Sequence, residues 1–409
     1  MSTPKPTPQQ YAWQDLEFGM FCHFGLNTFH DKEWGDGTLD PTSFNPTDVQ
    51  ADQWVEVAKE AGCRYLVLTA KHHDGFCLWP SQYTDYSVKR SPWRSGKGDV
   101  VREAAKACER GGIKLGLYLS PWDRHEPSYK NPAAYNVYFK NQLTELLTNY
   151  GEIVEIWFDG AGSEGYPYDW SGICEIVHKY QPDAMIFNMG EATIRWAGNE
   201  KGIAPYPCWN VVEYPAKRDP VSQFWTYKKD DYPRWMPVEC DVPIRKNWFW
   251  HTDDAHTLKS LDTLLDIYYR SIGHGANLLL NVAPDRNGKL PDQDIARLKE
   301  LRKEIDRRIG HSLATVKNSG AKAEIKLSKP TWVDHAVSME AIEEGERIRQ
   351  YQIEALIKGK WIKICEGTAI GHKKIDRFEP IFTNQIRLKV TSSVGEPRLR
   401  SFSIYHAEK

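Results

Sequence analysis

The residues best suited to chemistry stand where short apolar runs stop. Glu152-Ile153-Val154-Glu155-Ile156-Trp157-Phe158-Asp159-Gly160 is a β-branched, apolar run ending in a carboxylate and a glycine. It reads as a buried strand that delivers Asp159 to the edge of a sheet, followed at once by a turn. A carboxylate held there can attack an electrophilic carbon, although the same position also suits the cap of a following helix. Other run ends carry imidazoles and phenols: Cys22-His23-Phe24-Gly25, Lys71-His72-His73-Asp74-Gly75-Phe76, and Tyr118-Leu119-Ser120-Pro121-Trp122-Asp123. Glu33-Trp34-Gly35 and Arg195-Trp196-Ala197-Gly198-Asn199-Glu200 fall in the connecting loops.

Two chemistries compete for these residues. His72-His73-Asp74 contains metal-ligand types. Adjacent residues on an extended strand point to opposite faces, however, so His72 and His73 cannot share an ion without a bend, and neutral imidazoles hydrogen-bonding a polyol are the preferred reading. The other chemistry needs two carboxylates. A retaining glycoside hydrolase uses one ionised carboxylate as nucleophile and one of raised pKa as acid and then base, about 5–5.5 Å apart. Asp159 suits the first role. Glu200, Glu191, Glu213, Glu239 and Glu33 all qualify for the second on spacing alone.

The elements that would position these groups alternate between short apolar runs and amphipathic stretches from Phe18 to about Leu313. Strands are expected at Phe18–Phe24, Tyr65–Ala70, Lys114–Leu119, Ile153–Phe158, Met185–Asn188, Asn210–Glu213, Pro237–Val242 and Asn277–Ala283. Helices are expected at Gln53–Ala61, Val100–Gly111, Ala134–Tyr150, Gly172–Tyr180, Ala255–Ile272 and Asp292–Ile309, several ending in glycines suited to left-handed caps (Gly62, Gly111-Gly112, Gly151, Gly273, Gly310). Eight strands and intervening helices make an α/β chain, a (β/α)8 barrel over residues 1–313. Catalytic groups then belong on the rim formed by the strands' C-terminal ends, which is where the polar and aromatic residues above collect. Residues 314–409 carry short alternating runs with turns between them, including Ile348–Ile357, Lys360–Ile364, Gln385–Val390 and Ser401–Tyr405, and read as an appended antiparallel β-sandwich.

Composition narrows the partners. A net charge of -2, without a Lys/Arg block, argues against nucleic acid or an anionic membrane surface. No apolar run approaches the roughly 20 residues of a membrane span, and Met1-Ser2-Thr3-Pro4-Lys5-Pro6 has no apolar signal core, so a periplasmic or extracellular address would require a leader already removed. The 8 cysteines contain no CxxC pair and read as buried thiols rather than a disulfide frame or zinc site. Sixteen tryptophans, many beside glycine, proline or charge, suit platforms that stack on sugar rings.

Taken in order, Phe21-Cys22-His23-Phe24-Gly25, Glu33-Trp34-Gly35, Ala70–Phe76, Gly116-Leu117-Tyr118, Trp157-Phe158-Asp159-Gly160 and Asn277–Val282 resemble the retaining α-L-fucosidases of glycoside hydrolase family 29. The resemblance covers the barrel from Phe18 to about Pro291. It implies an exo-acting enzyme that removes a terminal L-fucose without a cofactor. Asp159 then matches the nucleophile, His23, His72, His73, Glu33 and Trp34 the residues that hold the sugar hydroxyls, and Tyr118 a tyrosine near the nucleophile. Trp248-Phe249-Trp250 could face the C6 methyl or form a core cluster. The segment Arg195–Gly202 resembles the acid/base loop of the subgroup preferring branched α-1,3 and α-1,4 fucosides, which selects Glu200 ahead of Glu191 and brings Trp196 to the site; Ala197 departs from the larger residue expected there. The competing expectations are a broad-specificity α-L-fucosidase and a non-catalytic fucose-binding protein on the same barrel. Linkage, aglycone and oligomeric state are left open.

Overall fold

The computed structural model describes residues 4–217 and 219–407, so Met1–Thr3 of the opening stretch lie outside it. Eight parallel strands form the central sheet: Phe18–Cys22, Tyr65–Lys71, Lys114–Leu119, Ile153–Trp157, Met185–Phe187, Arg195–Trp196, Val238–Pro243 and Asn277–Asn281. The first strand is flanked by the second and the eighth, with Met20 opposite both Leu66 and Leu280. A bridge between Phe187 and Ile194 joins the two remaining edges and closes the barrel. Helices cover the outside, so these strands are buried on both faces, which is why they read as continuous apolar runs rather than alternating ones.

The inner face is filled by aromatic side chains, Phe21, Tyr65, Tyr118, Trp157 and Phe187, and the N-terminal helix Pro8–Gln14 contributes Trp13 to the same cluster. Room for Tyr65 comes from the first strand: a Cβ on Gly19 would lie 2.4 Å from the Tyr65 ring. The helices begin on side-chain caps, as where Asp99 accepts from the Arg102 N–H at 2.8 Å. Gly62, Gly112 and Gly151 take the positive φ expected of them, but Gly273 does not, nor does Gly310, at φ -72°.

Three expectations are corrected. The sixth barrel strand is not Asn210–Glu213. Val211–Val212 instead pairs antiparallel with Arg234–Trp235 in a separate two-stranded sheet, while Arg195–Trp196, expected as loop, pairs in parallel with Val238–Glu239. Two residues are too few to show a period, whereas the Val-Val pair carries a strong strand propensity that a local partner satisfies. Second, the helix expected over Ala255–Ile272 is broken into a 3₁₀ turn, Ala255–Thr257, and a helix, Leu261–Arg270, because Ser260 accepts from the Thr263 N–H and starts the second segment afresh. Third, the C-terminal sheet contains two long strands, Lys322–Glu340 and Lys374–Ser393, of which the sequence revealed only the Gln385–Val390 part.

That sheet is antiparallel and six-stranded. Ala314–Ser319, Leu399–Tyr405, Lys322–Glu340, Lys374–Ser393, Ile348–Ile357 and Lys360–Gly367 follow one another across it. Register shifts at Lys326/Thr331 and Val333/His335 bend the long strands, so that Ile325, Ile353 and Leu388 share one core with Ala336, Phe402 and Ile404. The result is the expected barrel with a C-terminal β-sandwich. All eight cysteines are free, seven of them buried. No helix among the described residues is long and apolar enough to cross a membrane.

Candidate active site

The C-terminal ends of the strands open into a cavity of about 380 Å³. Asp159 reaches it two residues beyond the fourth strand and is fixed three ways. Its Oδ1 accepts from the Ala161 N–H at 2.9 Å, its Oδ2 accepts from the Tyr118 hydroxyl at 2.9 Å, and His73 Nε2 lies 3.4 Å from Oδ2. Burial works to raise this carboxyl, but the charge and hydrogen bond of His73, with the Ala161 and Tyr118 donors, outweigh it and hold Asp159 below the usual carboxylate range.

Three imidazoles line the same cavity. His23 Nδ1 meets Asn281 Oδ1 at 2.8 Å, and the Asn281 amide donates to Trp248 O at 2.7 Å, so the amide oxygen must accept and Nδ1 carries the proton. His23 thus offers Nε2 as an acceptor, and burial holds its pKa down to about 3, keeping it neutral. Ser120 Oγ donates to Trp122 O, leaving its lone pair for the His73 Nδ1–H at 2.7 Å, and His73 turns its Nε2 toward Asp159. His72 lies stacked on Tyr118, ring centroids 5.5 Å apart, with burial pushing its pKa far down.

The bend that would let His72 and His73 face one space is present here. The second strand ends at Lys71, the chain turns, and the two rings lie 4.2 Å apart on one cavity. With Asp159 they form a group whose ligand-type atoms fall within 4.8 Å of one another, so the geometry that would have spoken against a shared ion is absent.

The aromatic walls are Trp34, Trp196 and Trp248. Trp34 is 52% exposed and stands edge-on to His73. Trp196 is aimed by its Nε1–H, which donates to Asp241 Oδ1 at 2.6 Å. Trp248 is held through its backbone, and here Glu33 takes a different place from the other expected residues. It does not line the cavity. Its Oε2 accepts from the Trp248 N–H at 2.8 Å, and its Oε1 meets the Phe249 N–H at 3.2 Å and His251 Nε2 at 3.0 Å. Of Trp248-Phe249-Trp250 only Trp248 lines the cavity; Phe249 is buried edge-on against His23 and His72, and Arg286 covers the Trp250 ring.

Of the five carboxylates that compete for the second role, Glu200 alone lines the cavity. Glu239 is sealed inside the barrel, Glu213 is exposed beside the outlying two-stranded sheet, and Glu191 faces His178 at 3.5 Å. Burial raises the Glu200 carboxyl, a hydrogen bond from Trp248 opposes this, and the Asp159 charge adds to the rise.

Several lining residues were not singled out from the sequence as site candidates. Asp241 lies on the cavity wall, its carboxyl driven well up by burial. Its signal was the polar i, i+2 pair Glu239 and Asp241 on one face of a strand that is apolar elsewhere. Asn281, which does not line the cavity but orients His23 from behind it, closes an apolar run with an amide and was quoted only as part of a motif. Asn188 ends the fifth strand at φ 64° and lines the cavity, and nothing in the sequence pointed to it.

A closed barrel presenting carboxylates, imidazoles and indoles on its C-terminal rim defines a sugar-processing hydrolase of the TIM-barrel class. The family profile described as Alpha-L-fucosidase matches residues 38–306. Alpha-L-fucosidase 1 of Arabidopsis thaliana is 39% identical over 444 aligned residues, spanning 98% of this chain and 87% of the plant protein. Among solved structures, a glycoside hydrolase 29 family member from an unknown rumen bacterium superposes with a TM-score of 0.91 at 38% identity, covering 100% of this chain and 78% of that one. A Ruminococcus gnavus GH29 fucosidase in complex with fucose gives 0.88 at 31% identity, covering 100% and 97%. The chain belongs to the α-L-fucosidases of glycoside hydrolase family 29, and it is an α-L-fucosidase.

Proposed function

We propose that the enzyme is exo-acting and retaining, and that it removes terminal α-1,3/1,4-linked L-fucose from branched oligosaccharides or glycoconjugates. Catalysis is assigned to the barrel, residues 1–313, with residues 314–409 as a separate appended domain. Its place of work follows from such substrates, the periplasm or the cell exterior.

The observation that carries this reading is the opposed electrostatics of two carboxyls on one cavity. Asp159 is kept ionised by His73, Ala161 and Tyr118, while Glu200 is biased toward its protonated form. Double displacement needs that division. Asp159 attacks the anomeric carbon as Glu200 passes its proton to the departing glycosidic oxygen; Glu200 then takes a proton from water, which hydrolyses the fucosyl ester on Asp159. His23, His72 and His73 present hydrogen-bonding groups to the sugar hydroxyls, and Trp34, Trp196 and Trp248 present apolar faces. The branched-linkage preference rests on the resemblance of the Arg195–Gly202 segment alone.

The test is product analysis on a panel of fucosylated oligosaccharides of differing linkage, with the released fucose followed by NMR from the first turnovers. Release of α-fucose first, from Lewis-type trisaccharides in preference to α-1,2-linked ones, is the expected result. Initial release of β-fucose would overturn retention, and faster cleavage of α-1,2 linkages would overturn the linkage assignment.

A further inference from the structure

Beneath the cavity two carboxyls meet in the closed interior of the barrel. Glu155 stands on the fourth strand two residues before Trp157, so both point inward. Glu239 stands on the seventh strand, and both glutamates are 0% exposed. Donors occupy both oxygens of Glu239: the Tyr65 hydroxyl reaches Oε2 at 2.7 Å and Trp157 Nε1–H reaches Oε1 at 2.9 Å. Glu155 Oε2 accepts from Trp13 Nε1–H at 3.1 Å, but its Oε1 is buried with no donor. The other titratable groups coupled to the pair are Tyr65 from the second strand and Cys240 and Asp241 from the seventh, none of them a cation.

Two ionised carboxylates cannot coexist in such a place. A proton on Glu155 Oε1 removes one charge and supplies the missing hydrogen bond, because each Glu239 oxygen keeps a second lone pair. We propose that Glu155 and Glu239 hold one proton between them, and that Glu239 is a positioning residue that anchors the cavity floor through Trp157. The Trp157 ring lines the cavity, stacks on Phe187 at 3.9 Å and on Tyr118 at 5.4 Å, and Tyr118 in turn donates to Asp159. Burial raises both carboxyls, Glu155 far up with the Glu239 charge adding to it, and Glu239 to about 7. The proton therefore leaves only as pH rises well above the ordinary glutamate range, and the floor loosens when it does. This device is independent of which linkage the enzyme prefers.

The intact enzyme tests it through Glu155→Gln, whose amide donates to Glu239 permanently while its oxygen still serves Trp13. The infrared difference spectrum, wild type minus variant at neutral pH, should show one protonated-carboxyl band and no lost carboxylate. Affinity for free L-fucose should weaken in the wild type as that band disappears with rising pH, while the variant, within about two-fold of wild type at neutral pH, stays level. A difference spectrum showing a lost carboxylate overturns the shared proton, and identical pH profiles of fucose affinity overturn its link to the site. Glu239→Leu, which leaves Trp157 without an acceptor, should lower kcat/KM about 10²-fold; unchanged kcat/KM in a folded Glu239→Leu enzyme overturns the anchoring role. Should that variant not fold, the Glu155→Gln comparison decides both halves.

Discussion

Tyr118 and Asp159 are joined by one hydrogen bond, and that bond makes the pH response of the enzyme testable residue by residue. Under the proposed double displacement activity needs Asp159 ionised and Glu200 protonated, so it should rise as pH passes upward through the Asp159 value and fall as it passes through the Glu200 value. Asp159 is held low and Glu200 high, so the plateau lies between the two and extends below the ordinary aspartate range. Removing the hydroxyl with Tyr118→Phe takes away a donor that favours the charged form; the acidic limb of the kcat/KM profile should move up in pH and the maximum drop about 10-fold. Asp159→Gly should lose turnover on every fucoside, on the order of 10⁴-fold. Glu200→Ala should lose about 10²–10⁴-fold on natural glycosides but far less on aryl fucosides with good leaving groups, with azide restoring part of the rate; near wild-type turnover of a Lewis trisaccharide by this variant would remove Glu200 from its role. Chelation separates the remaining reading of His72, His73 and Asp159: the two-carboxylate enzyme should keep full activity in EDTA, and a metal-dependent one should lose it.

The elements explain why some of these residues could be read from the sequence and others could not. Asp159, His23, His72 and His73 follow strands that are apolar on both faces, where an abrupt polar residue is conspicuous, and Tyr118 stands one residue before the end of its own strand. Asp241, Glu155 and Glu239 sit inside strands, where the chain gives no sign of which face looks into the barrel until closure is known. Glu33 stands out in the sequence as a candidate but its contacts do not, because its partners Trp248, Phe249 and His251 are more than 200 positions away. Its placement has an element-level consequence. Glu33→Gln keeps an acceptor for one backbone N–H but turns an amide toward another donor, so the Trp248 segment should loosen. The expected outcome is a rise in KM for aryl fucosides of about 10-fold with kcat changed less, measured by steady-state kinetics.

At the scale of the whole molecule, the sandwich is fastened to the barrel by polar groups as well as by Val337 and Ile375, which pack into the barrel's outer core. Asp15 takes Arg400 at 2.6 Å and His372 at 2.8 Å, and Tyr206 donates to Ala369 O at 3.0 Å. Buried in the same seam is Glu346, which accepts from the backbone and side-chain N–H groups of Asn210 at 3.0 and 2.7 Å. Burial, with the nearby Glu340, raises its carboxyl to about 7. Unfolded glutamate titrates near ~4.3, so the folded state binds the proton more tightly. The stability this confers is full below that value and is lost as pH rises toward and through 7. The thermal midpoint should fall between roughly pH 5 and 8, and Glu346→Gln should flatten the decline; an unchanged slope by calorimetry would show that the seam does not titrate there.

The sixth barrel strand is two residues long, and the chain spends the next forty positions without returning to the sheet. Asp159 is thus welded to the frame, while Glu200 rides on a tether. Such an arrangement separates two kinds of evolvability. Insertions or exchanges between Ala197 and Ile203 can retune which leaving group is accepted without disturbing the pocket that recognises the sugar, whereas any change of length before Asp159 would shift a strand and the whole rim with it. A library confined to that short tether is where altered aglycone preference, or transfer of the fucosyl group to an alcohol in place of water, should be found first.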